Sequence, residues 1–209
     1  MNRIRIIGGK FRSRLLILPP LNIDIRPTQD RVREAIFSAI SKEIENKVCL
    51  DLFAGSGAMG FEAYSRGAKY IYFNDSNRKC VDAIKKSATD LDITNNIKVY
   101  NLDYLKALNL FKDTNIKFDL VFLDPPYKLN VNNKIIEYLI KFDLLNKNSI
   151  VICEQEDEIT EIEGFNLKKY KYSYKRVGIY RKENLWELHV IQGHLIQLLM
   201  GMLILPYEL

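Results

Sequence analysis

The sequence predicts an α/β domain: a mostly parallel, twisted sheet with helices on both faces, preceded by an N-terminal β-hairpin and a helix. Three observations carry that expectation. From Val48 onward, short apolar strands alternate with helical segments, the pattern of right-handed strand–helix–strand units. The first of these strands runs into a glycine-rich turn, Ala54-Gly55-Ser56-Gly57-Ala58-Met59-Gly60, that opens a helix. Acidic residues recur at the strand ends, where open α/β sheets bind their ligands.

The elements follow in order. After the first hairpin, Thr28 is placed to cap a helix running to about Ile44. Val32, Ala35, Ile36, Ala39, Ile40 and Ile44 give that helix one apolar stripe at spacings of three and four, which leaves Arg31 and Arg33 with partly exposed heads. Strand 47–52 leads into the glycine turn and a helix over 58–66. Strands 69–74, 97–101, 118–123 and 149–153 then alternate with helices 76–90, 103–111 and 131–141, and the chain's last strand is expected at the sheet edge. Asp51, Asp75, Asp103, Asp124 and Glu154 fall at or near the ends of five successive strands, so they are expected to converge on one composite site.

Asp124-Pro125-Pro126-Tyr127 closes the apolar run Phe118–Leu123. Two prolines cannot continue a strand or donate backbone hydrogen bonds, and they stiffen the turn. Such a loop holds a carboxylate, carbonyl oxygens and an aromatic face together. That set suits a planar group with an exocyclic amine, a nucleobase above all. The glycine turn fits G-x-G-x-x-G, with Asp75 twenty residues past Gly55, so a dinucleotide has to be weighed. Asp51 argues against it: a carboxylate at the mouth of the turn repels a pyrophosphate and attracts a cation such as S-adenosylmethionine. Asp75 suits the ribose of either cofactor.

The 209 residues suffice for one α/β domain. A net charge of +5 is unevenly spread. Residues 1–33 hold eight basic groups against two acids, and residues 165–182 hold seven with none, interleaved with Tyr170, Tyr172 and Tyr174. Two basic ends around a cleft suggest a phosphate-binding rim; solvated surface charge and one face of an amphipathic strand are the plainer readings. Cys49, Cys80 and Cys153 lack metal-ligand spacing and fit a reducing, cytoplasmic setting, with no metal expected. No signal peptide is evident at the amino terminus. Residues 184–209 contain no Lys or Arg, and hold the only Trp (Trp186) and both histidines (His189, His194). This tail is too short in its apolar stretch to span a bilayer. It is expected to lie outside the evolved domain, as read-through after a frameshift or a lost stop codon would produce.

Over residues 3–182 the chain resembles the RsmD family, within the Rossmann-like class I S-adenosylmethionine-dependent methyltransferases. The resemblance rests on Ile4-Arg5-Ile6-Ile7-Gly8-Gly9-Lys10 with Arg12, on Arg26-Pro27-Thr28-Gln29-Asp30-Arg31-Val32-Arg33-Glu34, on Asp51 to Gly57, and on Asp124 to Tyr127. It implies methylation of the exocyclic N2 of a guanine in 16S ribosomal RNA, on the small ribosomal subunit or its assembly intermediate. It also implies a single domain over 1–182, with 1–27 as a hairpin extension and 183–209 as an atypical tail, acting as a cytoplasmic monomer with no membrane association. By the same resemblance Asp124, Pro125, Pro126 and Tyr127 form the catalytic loop. Asp51, Phe53, Ala54, Gly55 and Gly57 take the methionine end of the cofactor. Asp75 and Ser76 take its ribose, and Asp103 and Tyr104 its adenine. Arg5, Lys10, Arg12, Arg26, Thr28, Arg31, Arg33 and Glu154 belong to the substrate side. The hairpin at Lys175-Arg176-Val177-Gly178-Ile179-Tyr180 departs from the family by its shortness. Rival readings are a DNA adenine-N6 or cytosine-N4 methyltransferase, a nicotinamide-dependent oxidoreductase, and a non-catalytic RNA-binding module.

Overall fold

The computed structural model describes residues 4–20, 27–126 and 129–183, residues 27–29 through their backbone alone. Strands β1 (Ile4–Arg5) and β2 (Leu15–Leu16) pair antiparallel as a small hairpin, Ile4 opposite Leu16. Helix α1 (Pro27–Ala39) follows, and a 3₁₀ turn over Ser41–Glu43 continues it. The alternating region then runs β3 (Val48–Asp51), α2 (Ala58–Ser65), β4 (Tyr70–Asn74), α3 (Arg78–Asp90), β5 (Ile97–Tyr100), α4 (Tyr104–Asp113), β6 (Phe118–Leu123), α5 (Asn132–Lys141) and β7 (Leu145–Gln155). Strands β8 (Phe165–Tyr172) and β9 (Lys175–Lys182) complete a seven-stranded sheet in the order β5-β4-β3-β6-β7-β9-β8. Strands β3 to β7 are parallel, and β9 runs antiparallel between β7 and β8. This is the α/β architecture, a mostly parallel sheet with helices on both faces, that the alternation predicts.

Period-two alternation splits the strands between two cores. Along β3, Cys49 joins the core under α1, α2, α3 and the hairpin, while Leu50 joins the one under α4 and α5. The three cysteines are buried and unpaired, which suits their reading as small apolar residues.

Four expectations need correction. Val32, Ile36, Ile40 and Ile44 of the α1 stripe are buried and Ala35 and Ala39 half-buried, but the helix stops at Ala39 instead of Ile44. The reason lies far along the chain: Arg181 Nη2 donates to the Ala39 carbonyl, and its guanidinium grips both oxygens of Glu43 at 2.8 and 2.9 Å. Helix α1 also includes Thr28 in its first turn, entering through Pro27, whose fixed φ suits the first helical position. Arg33 is buried, not partly exposed. Finally, the last strand is not an edge. Strand β9 inserts between β7 and β8 and pairs with β7 from Ile150↔Arg181 to Gln155↔Arg176, which carries β7 past Cys153. The pairing of Leu145 with Phe118 of β6 carries its start back from 149, so that β7 runs to eleven residues. The edge is β8, which turns Lys168, Lys169 and Lys171 to solvent and so blunts its open side.

Candidate active site

The glycine turn is shaped from both sides. Asp51, the last residue of β3, is buried, and its Oδ2 accepts the Gly60 N–H at 3.0 Å, pinning the first turn of α2 to the sheet. Gly60 has no room for a side chain: a Cβ there would stand 2.2 Å from the Phe73 ring. Gly57 caps α2 with φ of 77°, a left-handed conformation that favours glycine. At the end of β4, Asp75 Oδ2 accepts the Gly55 N–H at 2.8 Å and Oδ1 the Asn77 N–H at 2.8 Å. Asn101 holds that loop by donating to the Asp75 and Ser76 carbonyls. Buried Asn74 ties the strand ends together through the Leu52 and Leu102 carbonyls.

Two adjoining clefts open beyond these strand ends. One, of about 200 Å³, is lined by Asp51, Phe53, Ala54, Gly55, Asp124, Glu154 and Lys175, and is walled by Ile4 and by Val32, Arg33 and Ile36 of α1. The second, of about 350 Å³, is lined by Phe53, Asp75, Ser76, Asp124, Pro125, Pro126 and Lys175. Phe53, Asp124 and Lys175 belong to both. Tyr104 stands beside Phe53 with ring centroids 5.6 Å apart. Thus four of the five strand-end carboxylates line these clefts. Asp103 stands apart from both linings: it is exposed and caps α4 by accepting the Leu105 N–H at 2.9 Å.

Charge is concentrated here. Burial raises the Asp51 carboxyl to about 7, against the Gly60 hydrogen bond and with the help of the Asp75 charge. Asp124 is open to solvent on the cleft side. Desolvation by the protein around it, and then Glu154, raise its carboxyl above the ordinary range, while Lys175 pulls it down. The solvent that reaches Asp124 limits that rise. Glu154 and Lys175 form an ion pair whose side chains are largely withdrawn from water.

Of the residues expected on the substrate side, Arg5, Arg12 and Arg31 are exposed and line a polar groove with Arg66, beside Asp30 and Glu34. Ile4 faces the cleft and Arg5 the groove, as neighbouring strand residues point to opposite sides. Lys10 is exposed, its ammonium 5.0 Å from the Phe11 ring centroid. Arg33 is a brace: it donates to the Arg5 carbonyl at 2.7 Å and to Asp30 at 3.1 Å, and lies 3.8 Å from Glu62. Arg26, Tyr127, the side chain of Thr28 and residues 184–209 lie outside the described residues. The second basic stretch thins out as a rim. Lys175 turns to Glu154, Arg176 to the Glu156 carbonyl, Arg181 to Glu43 and Lys182 to the Leu145 carbonyl. Tyr170 and Tyr172 stack and pack on the core, as an amphipathic strand face does.

Sequence reasoning passed over two residues. Lys175 reads as one cation in a basic run, and nothing local marks it as inward. Glu62 lies mid-helix, where a glutamate ordinarily meets water; here it is wholly buried. Its Oε2 accepts the Ile7 N–H at 2.7 Å, and its Oε1 accepts the Gly8 N–H at 2.8 Å and Arg66 Nε at 2.7 Å. Ser65 adds a bond to the Gly8 carbonyl at 2.6 Å and accepts the Phe11 N–H at 2.8 Å. The hairpin is therefore docked on α2 through its glycine turn. The only sequence sign was the apolar setting of Glu62 within Gly60-Phe61-Glu62-Ala63.

Comparison with known proteins places this geometry in a lineage. Residues 4–181 match the family described as conserved hypothetical protein 95. The chain is 37% identical over 160 residues to ribosomal RNA small subunit methyltransferase D of Haemophilus influenzae, covering 74% of this chain and 80% of that protein. The protein of the same name from Buchnera aphidicola is 35% identical over 173 residues, covering 81% of this chain and 87% of its own length. A solved structure of the candidate methyltransferase yhhF from Escherichia coli superposes with a TM-score of 0.76 at 31% identity, covering 87% of this chain and 99% of that one.

Proposed function

The chain belongs to the RsmD family, and from that premise we propose that it transfers a methyl group from S-adenosylmethionine to the exocyclic N2 of a guanine in 16S ribosomal RNA. The observation that carries this reading is the convergence of Asp51, Asp75, Asp124 and Glu154 on adjoining clefts at the ends of neighbouring strands.

The residues present fit the cofactor. Asp75 and Ser76 offer a carboxylate and a hydroxyl to a ribose diol, and each Asp75 oxygen keeps a lone pair beyond the amide it already accepts. Phe53 and Tyr104 offer aromatic surface for adenine, and Asp103, next to Tyr104 in the chain though outside both cleft linings, is assigned to its amine. Gly55 turns its open side to free space, so backbone can approach the methionine end, and Asp51 meets the positive charge there. When bound, S-adenosylmethionine supplies an electrophilic methyl carbon on a positively charged sulfur, which the amine attacks as the sulfur–carbon bond breaks.

The chain's own residues do the rest. The target base leaves its stack and enters the pocket, where Tyr127 stacks on it. Asp124 and the Pro125 carbonyl accept the N2–H bonds and aim the nitrogen lone pair. Asp124, open to solvent, hands on the proton that the nitrogen loses once methylated. Orientation is the main effect, and it is worth up to about 7–11 kcal/mol in well-positioned reactions. Arg5, Lys10, Arg12 and Arg31, with Arg26 and Thr28, meet the RNA backbone, while Arg33 holds the wall they stand on. The substrate is the small subunit or its assembly intermediate, and the enzyme acts as a cytoplasmic monomer. No described helix is long and apolar enough to cross a membrane. The evolved domain is taken as 1–182, so removing residues 184–209 should leave the melting temperature and cofactor affinity of the rest unchanged; loss of either would reject that boundary.

Asp51 sets a pH prediction. Its folded pKa of about 7 lies above the unfolded value, so the buried neutral form is favoured. Its contribution to stability is therefore present below the unfolded pKa and lost as pH rises through about 7. A bound cation has the opposite preference, so cofactor affinity should climb with pH up to about 7 and then level off. Asp51→Asn should flatten that climb, weaken the cofactor about tenfold or more, and melt no lower than the parent at pH 8. A pH-independent affinity in the parent would contradict this role.

The DNA rivals share the Asp-Pro-Pro-Tyr chemistry and are separated by substrate. With methyl-labelled cofactor offered to small subunits and to duplex DNA side by side, label is expected in the RNA; label in the DNA alone would overturn the assignment.

A further inference from the structure

Asp124 explains how an amine is held but not why the base should be guanine, since adenine and cytosine also carry exocyclic amines. The neighbouring charges answer that question. Strands β6 and β7 pair in parallel with Leu123 opposite Cys153, so the next residues, Asp124 and Glu154, stand side by side on adjacent strands, roughly 4.8 Å apart. Both line the same cleft. Lys175 opens β9 on the far side of β7, where Val177 pairs with Glu154, and its ammonium reaches back to Glu154 Oε1. Withdrawing such a pair from water is costly, and apolar residues of the same volume would often serve stability as well. Both partners nevertheless face the cleft beside the proposed catalytic loop. Across the cleft the order is acceptor, acceptor, donor: Asp124, Glu154, Lys175.

Resting on the methyl-transfer reading above, we propose that Glu154 and Lys175 read the target base, Glu154 accepting the ring N1–H beside the amine and Lys175 donating to O6. Guanine presents the complementary edge: an N2 amine, an adjacent N1–H and a carbonyl oxygen. Adenine and cytosine place a ring-nitrogen lone pair next to the amine. That lone pair would meet the Glu154 carboxylate, leaving a buried acceptor against an acceptor. Asp124 thus selects for an amine, and Glu154 selects for what stands beside it. Reading a flipped base along its Watson–Crick edge is the general practice of enzymes that modify bases.

The test uses bases that keep the N2 amine but lose N1–H. Once the labelled position has been mapped, 16S RNA is ligated from synthetic segments carrying guanine, 2,6-diaminopurine or 2-aminopurine there, and assembled with small-subunit proteins. The full chain should methylate both analogues about 10- to 100-fold more slowly than guanine. Glu154→Gln, whose amide can turn to donate, should slow guanine at least about tenfold and raise the diaminopurine-to-guanine ratio, with cofactor affinity within about twofold of the parent. Equal rates of the parent on guanine and both analogues would overturn the proposal. A variant that slows all three bases by one common factor would do the same. No label on guanine at all would sink the methyl-transfer reading, and this proposal with it.

Discussion

Asp124→Ala is expected to lower methyl transfer by about 10²–10³-fold while the cofactor dissociation constant changes by less than about threefold. The asymmetry follows from position. Asp124 is the first residue beyond β6 and opens on both clefts, so it touches the proposed amine site directly, whereas the proposed cofactor contacts, Asp51, Asp75 and the glycine turn, are held in place without it. Its removal should not cost stability either. The carboxyl is raised by its surroundings and by Glu154, so the native state gains little from its charge, and Glu154 keeps Lys175 as a partner. Single-turnover transfer and calorimetric cofactor binding on the same preparation give the two numbers. Losses of similar size in both would show that Asp124 builds the cofactor site and does not position the amine.

Glu62→Ala should be the most damaging change to the fold among those described here, at about 3–5 kcal/mol. The carboxylate is wholly buried among two backbone amides and the Arg66 guanidinium, with Arg33 close by. Alanine would strand two arginines and free the Ile7 and Gly8 N–H groups at once. Glu62→Gln keeps one acceptor oxygen and should lose less, about 1–3 kcal/mol. The damage should spread along the contacts that Glu62 organises. Arg33 would lose its neighbour, the β1–β2 hairpin would leave α2, and the cleft wall at Ile4 would open. Urea unfolding measures the loss, and hydrogen exchange at Ile7, Gly8 and Phe11 localises it. A midpoint within about 1 kcal/mol of the parent would mean that the hairpin is held by its apolar contacts instead.

The sheet was legible because its signals are local. Apolar runs of four to six residues, turns between them and Asp at their ends placed β3 to β6 within a residue or two, and helices α2 to α5 nearly as closely. What escaped depends on distant partners. The early stop of α1 is set by Arg181, 142 positions from Ala39. The end of β7 is carried to Gln155 by β9 and its start to Leu145 by an irregular pairing with Phe118 of β6, and nothing near 149–153 announces either. Arg33 reads as a partly exposed charge, and nothing singles out Glu62, because burial of an ionised group requires partners. Theirs include the Arg5 carbonyl, the Ile7 and Gly8 amides and each other, on separate elements. Within the site, spacing brought out Asp51, Asp75, Asp124 and Glu154. Lys175 stayed hidden among basic residues until the strand order carried it to Glu154.

The central claim is that these strand-end carboxylates form one centre for methylating guanine N2. Small ribosomal subunits from cells lacking this gene, incubated with the purified protein and methyl-labelled S-adenosylmethionine, test it most directly once the RNA is digested to nucleosides. The account predicts label in N2-methylguanosine, absent when Asp124→Ala replaces the parent. Label in a methylated adenosine or cytidine, or none together with no cofactor binding, would contradict it.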